Sequence, residues 1–284
     1  MIKKRYLADL IMFLASMIWG LGYFFQKCAN ETTPPLTFNC LRYLIAAFFL
    51  ACVARFRYPR GEGLKYAVLT GVVMAMGGNL QQIGMQTASI GNASFITAIY
   101  IVLVPLISGL VLRRKIKTRH ILAALLSLAG LFLITTAGKG LDHITKGDLI
   151  VFGGSVFWAL QILCVDKAVS LCDPVSFTAA EFLTAAVLQF IVWLTLGHRN
   201  TTGLSQSWPY ALASGILVLG IAFIMQAYGQ KHTGETEASI IMGLESVFGA
   251  LFGVILYHET FAPVQLAGML IIFTAVLLTV LDKS

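Results

Sequence analysis

The stretch DLIMFLASMIWGLGYFFQK at 9–27 returns as DLIVFGGSVFWALQILCVDK at 148–167, a displacement of about 139 residues. Self-similarity at that distance constrains a chain more than any local motif, because whatever one copy folds into the other must fold into as well. Asp9, Phe13, Ser16 and Trp19 fall on Asp148, Phe152, Ser155 and Trp158, and the same register sets Pro35 on Pro174, Phe38 on Phe177 and Arg42 on Glu181. With the displacement at about 144, Tyr66, Gly71, Gln82 and Gln86 meet Tyr210, Gly215, Gln226 and Gln230. The chain is predicted to be one unit made twice, residues 1–140 and residues 141–284.

The matched segments are apolar for about twenty residues, long enough to cross the hydrocarbon core as helices. Only 12% of the residues are charged and 58% are hydrophobic, whereas soluble domains carry about a quarter charged residues. About ten spans meet the length criterion, near 7–26, 36–54, 64–86, 92–112, 120–138, 147–165, 174–196, 208–230, 238–257 and 262–281. The expected fold is an all-α integral membrane protein of ten transmembrane helices. Because five spans are an odd number, the second repeat enters the bilayer inverted. Inverted repeats mark alternating-access transporters with a site between the halves.

The net charge of +7 raises nucleic acid as a partner, so its placement decides its meaning. With the first helix starting inside, roughly fifteen Lys and Arg lie on the inner side, among them Lys4, Arg5, Arg57, Arg113, Arg114 and Lys117, against roughly four outside. Both termini are therefore predicted to be cytoplasmic, in the cell membrane, and the basic excess reads as orientation. Short membrane loops offer no extended basic face for nucleic acid. The N-terminal KKR and apolar run resemble a signal peptide, but the run has the length of a full span and no small-x-small cleavage site follows it. It reads as the first span. The five cysteines show no C-x-x-C pairing and read as small apolar side chains. Asn30-Glu31-Thr32 and Asn200-Thr201-Thr202 match a glycosylation acceptor by a three-residue pattern common by chance.

Polar residues inside the spans are the functional candidates. Trp19 and Trp158 recur as a pair. Arg42 lies about five residues into the second span, where it either faces a ligand or snorkels to the headgroups. Asn79 and Gln82 share one face of the third span, and that face recurs at Gln226, which suggests a polar lining between the repeats; the alternative is glue between helices. The fourth span carries Tyr100 and then Pro105, a predicted kink. Glu181 sits in the seventh span and Glu245 in the ninth, ahead of the small-x-x-x-small pair Gly249 and Gly253. A carboxylate in low dielectric needs a partner, a proton or water, which makes Glu245 first and Glu181 second as proton-coupling groups. The segment Lys231–Glu237 and the pair Asp166-Lys167 read as solvated ends, and the basic run 113–119 as an anchor against anionic lipid heads. The fifth and tenth spans carry no strong polar group and are left to face the lipid bilayer or a second copy of the chain, as a homodimer.

These features resemble a known family: WGLGYFFQK and FWALQILCVDK in the first and sixth spans, NASFITAIYIVLVPLISGL in the fourth, and the ending LESVFGALFGVILYHETFAPVQLAGMLIIFTAVLLT. The chain resembles the EamA-type branch of the drug/metabolite transporter superfamily over essentially its whole length. The resemblance implies ten helices, a cavity lined by the first four helices of each repeat, peripheral fifth and tenth helices, and export of small metabolites such as amino acids or related compounds, or drugs.

Three function classes remain in view. A secondary transporter accounts for the inverted repeat, the polar faces and the small-molecule substrate; with no Walker-type loop, ATP is not its direct energy source, and no cofactor or metal is expected. An intramembrane enzyme would need a catalytic cluster, yet there is no H-E-x-x-H or G-x-S-x-G, and the five histidines lie near span ends, so no catalytic residue is assigned. A lipid scramblase or structural membrane partner is the third class. Counterflow of a soluble solute separates it from a transporter.

Overall fold

The computed structural model describes residues 2–136, 144–260 and 262–281. The boundary between the predicted repeats at 140/141, the outer-loop pair Asp142 and His143, and Lys283 lie outside the described residues. The described chain folds into ten helical rods: α1 (Ile2–Asn30), α2 (Pro35–Val53), α3 (Glu62–Gly84), α4 (Ile90–Leu110), α5 (Thr118–Thr136), α6 (Lys146–Val169), α7 (Pro174–Thr195), α8 (Leu204–Gln230), α9 (Glu235–Tyr257) and α10 (Pro263–Leu281). Seven are long and apolar enough to cross a membrane by length and composition, and α5 and α10 hold shorter apolar stretches. Large apolar side chains such as Leu110, Phe48 and Leu270 stand 78%, 70% and 68% exposed, which a lipid surround accommodates and water does not.

Local chemistry sets the helix starts. Pro35 and Pro174 occupy the first turns of α2 and α7, where the missing N–H has no intrahelical partner to lose. The Asp173 side chain accepts from Ser176 N at 3.0 Å. Thr145 and Asp148 cap α6 reciprocally, Thr145 N donating to Asp148 Oδ2 at 2.7 Å and Asp148 N to Thr145 Oγ1 at 3.1 Å.

The contacts between rods come in matched pairs. α1 packs on α8 and α9 as α6 packs on α3 and α4; α2 meets α8 as α7 meets α3; and α2–α7, α4–α9 and α5–α10 each pair an element with its own counterpart. That is the contact pattern of two five-helix repeats related by a two-fold axis. Glycines permit the closest approaches. A Cβ at Gly130 would stand 2.6 Å from the Gly268 carbonyl and the reverse holds for Gly268, so α5 and α10 cross at their backbones. Gly20 faces the α9 backbone, where a Cβ would lie 2.7 Å from Gly249 N.

A Cβ at Gly147 would run into the Gly84 carbonyl and the Thr87 hydroxyl at the α3–α6 crossing, with Ala88 N 2.8 Å away. Backbone cannot step aside as a side chain can. Gly147→Val is therefore expected to destabilise the fold by about 3 kcal/mol or more, and Gly234→Ala, with nothing within 4 Å, by no more than about 0.5 kcal/mol. Thermal unfolding in detergent checks this; equal melting temperatures for the two variants would contradict the crossing.

Three rods are irregular. α4 is interrupted between Thr97 and Tyr100, α9 between Met242 and Glu245, and α8 is π-helical over Ser214–Ile221. The break in α4 falls ahead of Pro105, which lies inside the continuous piece Tyr100–Leu110. Packing accounts for the position: a Cβ at Gly243, in the α9 break, would collide with Ile101, so the two interruptions cross each other. Tyr100 and Glu245 open the second pieces of these matched helices, at equivalent places in the two repeats.

Candidate functional site

Between the halves lies a cavity walled by α1, α2, α3, α4, α6, α8 and α9. Its apolar walls are Trp19, Trp158 and Phe223, with ring centroids 5.1 Å apart for Trp19–Phe223 and 6.2 Å for Trp158–Phe223. The Trp19 indole donates to the Val218 carbonyl at 3.2 Å, within the π-helical stretch of α8. The Trp158 indole nitrogen is buried and has no protein partner. Flat apolar walls with a few converging polar groups are what a small-molecule site offers.

Arg42 is 2% exposed and borders the cavity. Its Nε donates to Asn39 Oδ1 at 2.8 Å and its Nη1 to Ser214 Oγ at 3.4 Å, and its guanidinium lies 5.4 Å from the Phe38 ring centre. Among the described residues no carboxylate pairs with it. A cation held this deep by neutral groups alone lacks the compensation that buried charges normally have, and so retains capacity for an anion.

Glu245 borders the same cavity, 5% exposed, with Tyr100 as its hydrogen-bonding neighbour and Oε1 without a partner. Gln26 contributes a third unpartnered buried atom, its Oε1, while its Nε2 donates to Gly22 O at 3.3 Å. Unsatisfied buried polar atoms are uncommon in folded proteins and ask for an explanation; here three of them share one cavity.

Of the residues singled out from the sequence, Trp19, Arg42, Tyr100, Trp158, Gln226 and Glu245 surround this cavity. Asn79 stands behind it: Asn39 Nδ2 donates to Asn79 Oδ1 at 2.9 Å, and Asn39 in turn accepts from Arg42. Gln82 lies toward the end predicted to be outer, donating to Asn30 Oδ1 at 2.8 Å and to the Gln26 carbonyl at 3.2 Å, which ties α3 to α1. Gln86 is exposed. Glu181 is 1% exposed and sits one layer out, reached through Gln161. Tyr23, Gln26, Gln81, Thr97 and Gln161 line the cavity and were not singled out. Helical spacing would have found three of them, since Tyr23 and Gln26 follow Trp19 by four and seven residues and Gln161 follows Trp158 by three.

The two ends of the bundle are closed by different chemistry. At the end predicted to be inner, Arg114 Nη1 bridges Asp166 Oδ2 at 2.9 Å and Glu235 Oε2 at 2.7 Å, Ser108 donates to Glu235 Oε1 at 2.6 Å, and Arg5 pairs with Glu237. The acids of the segment 231–237 are thus buried ion-pair partners at the start of α9 and Asp166 belongs to the same network, where the sequence suggested solvated ends. Packing of the loop between α4 and α5 over α9 brings them together. At the other end, Glu259 accepts from Ile90 N at 2.7 Å and Gly91 N at 3.0 Å, at the α4 N-terminus, and Lys27 donates to Ala88 O at 2.7 Å.

A model of the EamA-like transporter family matches residues 6–136 and 145–281, once for each repeat. An uncharacterized transporter of Archaeoglobus fulgidus is 28% identical over 97% of this chain and 86% of its own length. The uncharacterized inner membrane transporter YedA of Escherichia coli K12 is 28% identical over 96% of this chain and 90% of its own. YvbV of Bacillus subtilis, also an uncharacterized transporter, is 27% identical over 98% and 92%. A crystal structure of 17% identity superposes with a TM-score of 0.78 over 96% of both chains, which speaks to the fold alone.

Proposed function

Because this chain belongs to the EamA-like transporter family, a family of membrane transporters and not of enzymes, we propose that it is a secondary transporter that exports small metabolites, amino acids or related compounds, or drugs, by alternating access. The observation that carries this reading is the central cavity, whose lining from both repeats includes Gln26, Trp158 and Glu245, each with a buried polar atom that has no partner. Residues 1–140 and 141–284 rock about it as two bodies. Arg42 takes an anionic group of the substrate, the tryptophans hold its apolar body, and Gln226 orients it. Glu245 exchanges the coupling proton, with Glu181 second. Asn79 supports Arg42 through Asn39, and Gln82 acts in closing the outer end. The exposed faces of α5 and α10 meet lipid, or a second copy in a homodimer.

The test is a metabolite uptake and efflux screen in cells with and without the protein. An altered level of a carboxylate-bearing solute supports the reading. If no solute changes while a labelled phospholipid crosses the bilayer faster, a scramblase takes its place.

The orientation follows from the excess of Lys and Arg at one end, in the cytoplasmic membrane with both termini inside. In a version whose five cysteines are replaced, a single Cys at Lys117 or Arg57 is expected to resist an impermeant reagent added outside intact cells, and one at Arg199 to react. Labelling at 117 from outside reverses the topology.

A further inference from the structure

Glu181 does not border the cavity, yet it is joined to it. Gln161 Nε2 donates to Glu181 Oε1 at 3.1 Å, and Gln161 is a cavity wall residue one turn beyond Trp158. Gln226 Nε2 donates to Gln161 Oε1 at 2.9 Å and to Gln230 Oε1 at 2.9 Å, and Gln230 Nε2 donates to the Ile162 carbonyl at 2.9 Å. All four side chains are buried. The row starts at Glu181, follows the cavity wall, and ends at Gln230, which borders the wide inner vestibule beside Arg114 and Lys231.

A carboxamide has a donor end and an acceptor end, and its neighbours decide which way it points. A carboxylate can only accept, so Gln161 must give it nitrogen and keep oxygen for Gln226, the order seen here. Protonation turns one carboxyl oxygen into a donor. The new O–H finds an acceptor if the Gln161 amide turns over, with its oxygen to Glu181 and its nitrogen to Gln226. The turn disturbs little packing, because the two ends of an amide are nearly the same size. Gln226 can answer it, since its Oε1 already lies 3.4 Å from Gln161 Nε2.

We propose that Gln161 is a positioning residue whose amide transmits the charge state of Glu181 to the cavity wall, exchanging a donor for an acceptor where the substrate lies. This deepens the transporter reading and rests on the cavity being the transport site. The titratable groups facing Glu181 are Tyr43 from α2 and Cys164 from α6; α3 packs at Gly71 against the Glu181 main chain, and the neutral Gln226 of α8 reaches it only through Gln161. Among the described residues no cation pairs with it, so no fixed charge holds Glu181 in one state.

The test needs no substrate. The full-length protein is labelled with 5-fluorotryptophan, placed in lipid nanodiscs and titrated by fluorine NMR, with the Trp158 line assigned from Trp158→Phe. In a Glu245→Gln background, which removes the titration of the other acid on this cavity, the Trp158 line is expected to move between two positions with pH, and to stay fixed when Glu181→Gln or Gln161→Met is added. The Trp193 and Trp208 lines, far from the cavity lining, report whether each variant is folded. Should Gln161→Met lose its fold, Gln226→Met interrupts the same row and is expected to reduce the movement. A Trp158 line that titrates unchanged in Glu181→Gln, or in a folded Gln161→Met, overturns the proposal, as does a line that never moves. None of these outcomes depends on transport, so failure of the relay and failure of the transporter reading are separate results.

Discussion

Glu245→Gln is expected to abolish pH-driven accumulation in proteoliposomes while leaving exchange of labelled for unlabelled substrate intact. A single coupled proton can support up to about a tenfold concentration ratio for each unit of pH difference, since one unit corresponds to about 1.4 kcal/mol. The variant should bring that ratio to about one. Glu245 opens the second piece of α9, beside the break at Gly243, borders the cavity and has one buried carboxyl oxygen without a partner. A group at the junction of a broken helix is exposed to one side or the other as the halves rock, so its charge state can differ between the two forms. Glutamine keeps the size and hydrogen bonding of the protonated acid but never releases a proton. Exchange needs only the cavity and the rocking motion. If the variant accumulates substrate as well as the original sequence does, Glu245 is a structural glutamate. Full pH-driven transport by Glu181→Gln as well would leave uniport as the mechanism.

Arg42→Met is expected to weaken binding of an anionic substrate by about 2 kcal/mol or more, roughly thirtyfold, with little loss of thermal stability. The two effects diverge because Arg42 has no carboxylate partner among the described residues. Its burial is held up by Asn39, Ser214 and two aromatic rings, which is less than a desolvated cation asks for. Methionine fills similar space without that penalty, at the expense of one unpaired oxygen on Asn39. A residue kept for structure would behave oppositely, losing stability and sparing binding. Binding by isothermal titration and melting temperature on the same preparation separate the two.

The duplication in the sequence carried most of the architecture. Matching Trp19 with Trp158 and Arg42 with Glu181 implied two copies, the odd number of spans in each implied opposite orientation, and the paired contacts of α1–α8 with α6–α3 are those of two matched copies. Hydropathy located the rods but not their interruptions. The breaks in α4 and α9 arise where Gly243 admits Ile101 from a distant helix, a contact between residues 142 positions apart that no local signal carries. The π-helical stretch of α8 is unmarked for the same reason: its counterpart in α3 keeps the same spacing from Tyr66 to Gln82 and is regular α-helix.

At the site, residue type was legible and depth was not. Embedded charges and recurring aromatics led to Trp19, Arg42, Tyr100, Trp158 and Glu245, which surround one cavity. Asn79 and Gln82 share a helix face, yet rotation of α3 presents Gln81 to the cavity and leaves Asn79 and Gln82 in the layer behind, bonded to Asn39 and Asn30. Helical spacing from Trp158 puts Gln161 on the cavity face, but its link to Glu181, twenty residues away on another helix, has no counterpart in the sequence. The acids at 235 and 237 looked solvated because a short turn between helices is usually wet. The loop from α4 to α5 covers them with Arg114, and Arg5 reaches Glu237 from α1.

Passage of a soluble solute between the two repeats is read out by counterflow. Proteoliposomes are preloaded with an unlabelled solute identified by the cell screen and diluted into medium holding a trace of the same solute in labelled form. A transient overshoot is expected, with label rising inside above its final level and then falling, and its loss in Arg42→Met. Label that enters no faster than into protein-free vesicles, for every solute the screen identifies, while a fluorescent phospholipid equilibrates between the leaflets, would contradict such passage.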